Sequence, residues 1–348
     1  MQSNGQSTVT DVKPTVMVTF SIIALLVSAL SLGFLIHKSS PATVAVAAGG
    51  TTAGPSIDTS ASPPDSFQAR DPKAPSPSTQ PAGTVHKVTL DIVEKQVEIA
   101  PGVTQLMWTF GGTVPGPTLR GKIGDTFEIT LVNKGSMAHS IDFHASKVAP
   151  NITMRMLEPG QSYVYRFTAT NSGIFMYHCG SAPVLEHIGM GMYGALIIDP
   201  PGLPPVAHEY VMVQSELYRE ADPSQPVDYN KLLDEQWDAV VFNGYVGQYS
   251  ARPIHVPAHE TIRVWVMNDG PSDLASFHVI GTIFDTVYKE GAYLLQPSAA
   301  HGGGQALDLA PAQGGFVEFN LAVPGKYPFV SHKFADAAKG AAGAFIAD

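Results

Sequence analysis

The sequence predicts an all-β fold: two tandem Greek-key β-sandwich domains, preceded by a transmembrane segment and a disordered linker. Three observations carry this reading. After His86, short runs of alternating apolar and polar residues recur roughly every 10–15 positions, each bounded by Gly, Pro or Asn. No long segment there shows the 3.6-residue period of a helix. The two halves of that region also share a layout: GDTFEITLVN resembles HETIRVWVMND, GIFMYHC resembles GKYPFVSH, and the endings GALIIDP and GAFIAD correspond.

In chain order, residues 1–38 read as a membrane anchor or signal segment. Thr15 to Ile36 contains no charged side chain and is long enough to span a bilayer as a helix. A cleaved signal usually has a shorter apolar core, so an uncleaved anchor is expected, with Ala45-Val46-Ala47 as the alternative cleavage site. Lys13 on one side and His37-Lys38 on the other leave the orientation undecided. Residues 39–85 are rich in Pro, Ser and Ala, hold few large apolar groups and read as a tether. Residues 86–200 form the first sandwich and 201–348 the second, with Pro200-Pro201-Gly202 between them. The stretch Asn230 to Trp237 reads as a short helix or loop.

Composition narrows the function. With 44% hydrophobic residues the chain can build a core, so global disorder is excluded. The net charge of −10 argues against a nucleic-acid partner, which requires clustered cations. The single cysteine, Cys179, excludes an internal disulfide framework and any cysteine-rich cluster.

Cys179 sits in the run Tyr177-His178-Cys179, followed by His187 and Met192. A thiolate, two imidazoles and a weak thioether are the ligand set of a blue-copper electron-transfer site. His139, on another strand, is the second imidazole; Met190 is a less favoured alternative to Met192. Successive side chains of a strand face opposite ways. If Cys179 points to one metal, His178 points away from it. Likewise His139 is out of phase with Asp142 and His144. A second site then gathers His144 and His178 with Asp142 beside them. A third imidazole is needed, and His332 stands at the matching place in the second half. Three histidines with an open position form a catalytic arrangement.

These motifs resemble the two-domain cupredoxin copper-containing nitrite reductases. They are PGPT at 115–118, HSIDFH at 139–144, YHC at 177–179, the His187 to Met192 spacing, FHVIG at 277–281 and FVSH at 329–332. The resemblance covers roughly Val88 to the C-terminus. It implies two cupredoxin-like domains and two coppers per chain. His139, Cys179, His187 and Met192 would hold a type 1 copper, and His144, His178 and His332 a type 2 copper. Asp142 and His278 would match the catalytic acid–base pair. It further implies reduction of nitrite to nitric oxide, with electrons from a small cupredoxin or cytochrome c passing through Cys179-His178. A homotrimer is implied, with His332 supplied by a neighbouring chain. The departures are Ile283 where the family often has a second histidine, Gln305-Ala306 where a Glu-Thr pair is common, and a slightly short loop, GSAPVLE, after Cys179. Copper and a small substrate suggest an extracytoplasmic location, held by the N-terminal segment.

The rival readings are a laccase-like multicopper oxidase, an electron-carrying or copper-binding cupredoxin, and the same site acting on another small nitrogen compound such as hydroxylamine. The oxidase requires His-x-His pairs that this chain lacks, and Gly180 rather than His follows Cys179. The remaining histidines (His37, His86, His208, His255, His259, His301) read as surface or structural, with His301 in a Gly-rich loop that could line an entrance.

Overall fold

A computed structural model describes residues 56–297 and 301–348. The apolar run at 15–36 and Ala45-Val46-Ala47 lie outside the described residues. Among the described residues no helix is long and apolar enough to cross a membrane.

The first strands are β1 (Val85–Ala100), β2 (Val103–Phe110), β3 (Leu119–Lys122), β4 (Thr126–Asn133), β5 (Asp142–Phe143), β6 (Ser162–Thr168), β7 (Gly173–His178) and β8 (Tyr193–Asp199). They form two sheets, ordered β2-β1-β4-β6 and β3-β8-β7-β5. In β4 the alternation of TFEITLVN sends Phe127, Ile129 and Leu131 into the core between these sheets.

The later strands are β9 (His208–Leu217), β10 (Ala239–Phe242), β11 (Ile254–Val256), β12 (Thr261–Gly270), β13 (Ala275–Val279), β14 (Thr286–Lys289), β15 (Ala292–Leu295), β16 (Leu307–Leu309), β17 (Gly314–Asn320), β18 (Gly325–Ser331) and β19 (Ala342–Ala347). Their sheets run β10-β9-β12-β17-β14-β15 and β11-β19-β18-β13-β16.

The repeat seen in the sequence is a repeat of topology. β1 pairs antiparallel with β2 and parallel with β4, as β9 does with β10 and β12. β8 pairs parallel with β3 and antiparallel with β7, as β19 does with β11 and β18. The second half adds β14, β15 and β16. Asn230 to Trp237 includes the last four residues of a one-turn helix, Tyr229–Leu233, whose N-cap Asp228 accepts from the Asn230 N–H.

The two sandwiches share a third core, in which Ile174, Met176, Tyr193, Ala195 and Ile197 meet Val211, Val213, Trp265, Met267 and Phe316. This is why β8 is buried along almost its whole length and shows no alternation: one face serves its own sandwich and the other the neighbour. A buried ion network crosses the same seam. Arg120 on β3 contacts Asp199 on β8 and makes two bonds to Glu209 on β9, and Glu209 also accepts from Arg263 and Trp265 on β12.

The tether expected over 39–85 requires correction where it is described. Residues 56–84 form a strap on the sandwiches. The Ala74 N–H donates to the Glu209 carbonyl and the Val211 N–H to the Pro72 carbonyl, and Lys73 bridges to Tyr210. β10 pairs with β9 only between Gln214 and Leu217. The strap covers part of the edge that β10 leaves open, satisfying backbone groups that a Pro- and Ser-rich composition would not by itself bring to order.

β7 carries Tyr177-His178 and is held from its side. The Tyr177 hydroxyl donates to the Pro117 carbonyl at 2.7 Å. A Cβ on Gly116 or on Gly194 would lie 2.4 Å from that hydroxyl, so the PGPT turn and the start of β8 both need glycine to close on the ring.

Candidate metal centres

β5 pairs antiparallel with β7, placing Asp142 opposite His178 and Phe143 opposite Tyr177. This pairing sets two clusters on opposite sides of the β7 end. His139, Cys179 and His187 bring one ligand atom each within 4.8 Å of one another, all buried; Asp142, His144 and His178 do the same at the surface.

In the buried cluster, the protonation of each ring follows from its partner. His139 Nε2 lies 3.2 Å from Glu94 Oε1, and a carboxylate only accepts, so Nε2 carries the hydrogen and Nδ1 a lone pair. His187 begins its contacts in the one-turn helix Val184–Gly189, where Nδ1 donates to the Pro183 carbonyl at 3.0 Å and leaves the lone pair on Nε2. These two free nitrogens, His139 Nδ1 and His187 Nε2, are buried and without a hydrogen-bond partner. Burial lowers the pKa of both rings, which favours the neutral, ligand-competent form; Glu94 and the Pro183 carbonyl respectively oppose this. Burial also pushes the Cys179 thiol up, partly offset by contacts from Ser181 and Ser140, so a bound cation is what would stabilise the thiolate. Two buried imidazoles, each with an unpartnered nitrogen, clustered with a buried thiol fit a soft metal ion.

Backbone bonds tie this loop together. The Cys179 N–H donates to the Met192 carbonyl and the Met192 N–H to the His187 carbonyl. Met192 is wholly buried. The sulfur of Met190 accepts from the Val227 N–H at 3.3 Å, which occupies the alternative thioether. Trp108 closes the cluster, its ring centroid 4.8 Å from that of His187 and 5.6 Å from that of His139.

In the surface cluster, His178 Nδ1 donates to the Cys179 carbonyl at 2.9 Å, so its Nε2 is left to face His144 Nε2 at 3.0 Å. At that separation either His144 carries its hydrogen on Nε2 and donates it to His178, or a cation sits between two lone pairs. Burial and then His178 lower the pKa of His144, which favours its neutral, ligand-competent form. Asp142 Oδ1 receives a long contact from the Tyr165 hydroxyl, 3.4 Å. A cavity of about 310 Å³ opens beside His144, with Lys147, Asn171 and Glu290 among its walls.

His332 and His278 stand apart from both clusters, on the second sandwich. The His332 N–H donates to the Ser276 carbonyl, and the two rings meet edge to face at 5.2 Å. Within one chain, therefore, the structure does not bring His332 to His144 and His178. Among the other histidines, His86 is held by the buried Asp125, His208 by Glu260 and His255 by Asp348. His301 lines a separate cavity with Ile283 and Gln305.

Comparison with known proteins agrees with this geometry. A family described as multicopper oxidase matches residues 91–202. The copper-containing nitrite reductase of Neisseria meningitidis serogroup A is 38% identical over 256 residues, 71% of this chain and 65% of that protein. The chain thus spans just under two thirds of the length of the Neisseria relative. The copper-containing nitrite reductase of Alcaligenes xylosoxydans xylosoxydans is 32% identical over 75% of this chain and 86% of its own length. The chain belongs to the copper-containing nitrite reductase family. The solved copper nitrite reductase of Nitrosomonas europaea superposes with a TM-score of 0.70 at 34% identity, covering 76% of this chain and 94% of that one.

Within this family member, Gln305-Ala306 does not leave His278 unsupported. His278 Nδ1 donates to the backbone carbonyl of Gln305 at 2.5 Å. Sequence reading missed that acceptor because every residue carries one. It also missed Glu94, Trp108, Ser140 and Ser181, whose roles arise only from folding.

Proposed function

We propose that the chain reduces nitrite to nitric oxide with copper, taking up one electron and two protons and releasing water. The observation that carries this is the back-to-back placement of two unlike ligand sets joined by the His178–Cys179 peptide bond. His139, Cys179, His187 and Met192 would hold a type 1 copper, and His144 and His178, with His332 from a neighbouring copy in a homotrimer, a type 2 copper. Copper would supply a one-electron relay at the first set and, at the second, a Lewis acid that binds nitrite and the electron that reduces it.

The chain's own groups do the remaining work. The covalent path from Cys179 to His178 gives a short connection between the sets. Asp142, opposite His178 in the ladder, holds the nitrite oxygen and delivers one proton. His278 keeps its Nδ1 hydrogen on the Gln305 carbonyl, so its transferable proton sits on Nε2. The donor is a small cupredoxin or cytochrome c, and the sandwiches lie outside the cytoplasmic membrane, anchored by the N-terminal segment.

The full chain, loaded with copper and kept anaerobic with a chemical reductant, should release nitric oxide on addition of nitrite. His332→Ala should retain one copper per chain and lose the activity. Two coppers with no nitric oxide would overturn the assignment to nitrite; a single copper in the parent chain would make it an electron carrier.

A further inference from the structure

The loop between the short helix Pro150–Thr153 and β6 contains two thioethers, Met154 and Met156, separated by Arg155. The loop is pinned over the buried cluster by reciprocal backbone bonds between Leu157 and His139. Arg155 is turned aside onto the Tyr163 ring, 5.3 Å from its centroid. Both sulfurs lie on the residues that leave Cys179. A Cβ on Gly180 would fall 2.0 Å from Met154 Sδ, so the absence of a side chain at 180 is what admits that sulfur. Met156 Sδ lies 3.2 Å from Ser181 Oγ, which lies 3.2 Å from Ser140 Oγ, itself 4.0 Å from Cys179 Sγ. Met156 is 53% exposed, whereas Cys179 is fully buried. A single exposed methionine needs no explanation. Two whose sulfurs both contact the loop leaving a buried thiol, one of them connected to that thiol through two hydroxyls, form a chain of contacts from an exposed side chain to Cys179.

We propose that Met154 and Met156 form a loading site for Cu(I), which they capture at the surface and hand to Cys179. Thioethers are soft, uncharged ligands that select Cu(I) over harder divalent ions. Ser181 and Ser140 line the interval without offering a competing anionic ligand. In the transfer, Cu(I) exchanges sulfur donors and keeps its oxidation state. The copper–thioether contacts break, the bond to Cys179 Sγ forms, and the thiol proton leaves to water. The proposal rests on copper binding at Cys179, and the test separates the two.

The apo form of the full chain is mixed anaerobically with Cu(I) held by a chromophoric chelator, and the chelator's colour is followed as copper leaves it. Met154→Leu/Met156→Leu is expected to take up as much copper as the parent but roughly tenfold more slowly, equivalent to about 1.4 kcal/mol in the barrier. With aqueous Cu(II) the two proteins should load at equal rates. Equal Cu(I) rates overturn the loading site while leaving the copper centre intact. Slowing by the same factor with both ions also overturns it, since that reports a packing change around Cys179. No transfer to the parent chain while Cys179→Ser behaves identically would overturn copper binding at Cys179 itself. Should the double variant fail to fold, Met156→Leu, at a half-exposed position, carries the same comparison.

Discussion

Glu94 lies 45 positions before His139, yet its carboxylate decides which nitrogen of that ring is free. Burial works against the charged form of Glu94, but hydrogen bonds from Ser136, His139 and the Met137 N–H outweigh it and hold its pKa below the usual value. Glu94→Ala should lower copper affinity at the buried set roughly 10–100-fold, as loss of a ligand-orienting partner does, with Glu94→Gln retaining most of it. Chelator competition read on the thiolate–copper absorption tests this; equal affinities for Glu94→Ala and the parent would show that the ring needs no such partner. At this scale the sequence revealed the residues that cluster but not their supports. Cys179 with His187 and Met192 is a local spacing, and the separation of His139 from Asp142 and His144 expected from strand parity is present although only Asp142–Phe143 are strand and His139 pairs with Leu157. Glu94 and Trp108 have no local signature, because each reaches the cluster only through sheet pairing.

Elements were legible where one face meets water and the other the core. β4 and β6 alternate and are readable; β8, covered on both faces, is recognisable only by its turn residues. The 56–84 strap was illegible because its composition matches a free tether, and its order comes from β9. β9 also carries Glu216, buried beside the Ser272 and Asp273 N–H groups. Burial pushes its pKa up to about 7, against those hydrogen bonds. The folded form thus keeps a proton that the unfolded chain loses near the ordinary value of 4.5. The sign follows: this group's contribution is full below about pH 4.5 and is lost as pH rises to about 7, by up to ~3 kcal/mol. Denaturant midpoints at about pH 5 and pH 8 should show the parent losing stability relative to Glu216→Gln over that interval. Parallel behaviour of the two proteins would refute it.

For the whole molecule, the seam between sandwiches is the feature that the repeat pattern could not disclose. The duplication was visible as matching strand sequences, but a shared third core depends on which faces meet. Arg120 is nearly inaccessible and joins β3, β8, β9 and, through the Pro75 carbonyl, the strap. Arg120→Met should destabilise the protein by about 3–5 kcal/mol by leaving the largely buried Asp199 carboxylate without its cation and Glu209 with Arg263 alone. Adding Asp199→Asn and Glu209→Gln should recover part of that loss. Thermal unfolding of the three proteins measures it, and a neutral Arg120→Met would mean the network is solvated.

The separation of His144 and His178 from His332 within one chain has a genetic consequence. If neighbouring copies complete each other's sites, two dead alleles can complement. Chains carrying His144→Ala and chains carrying His332→Ala would each be inactive alone. Co-expressed in equal amounts and assembled at random, about one quarter of the shared sites would draw an intact half from each parent. Activity near that fraction would mark the catalytic unit as the contact between copies rather than the polypeptide.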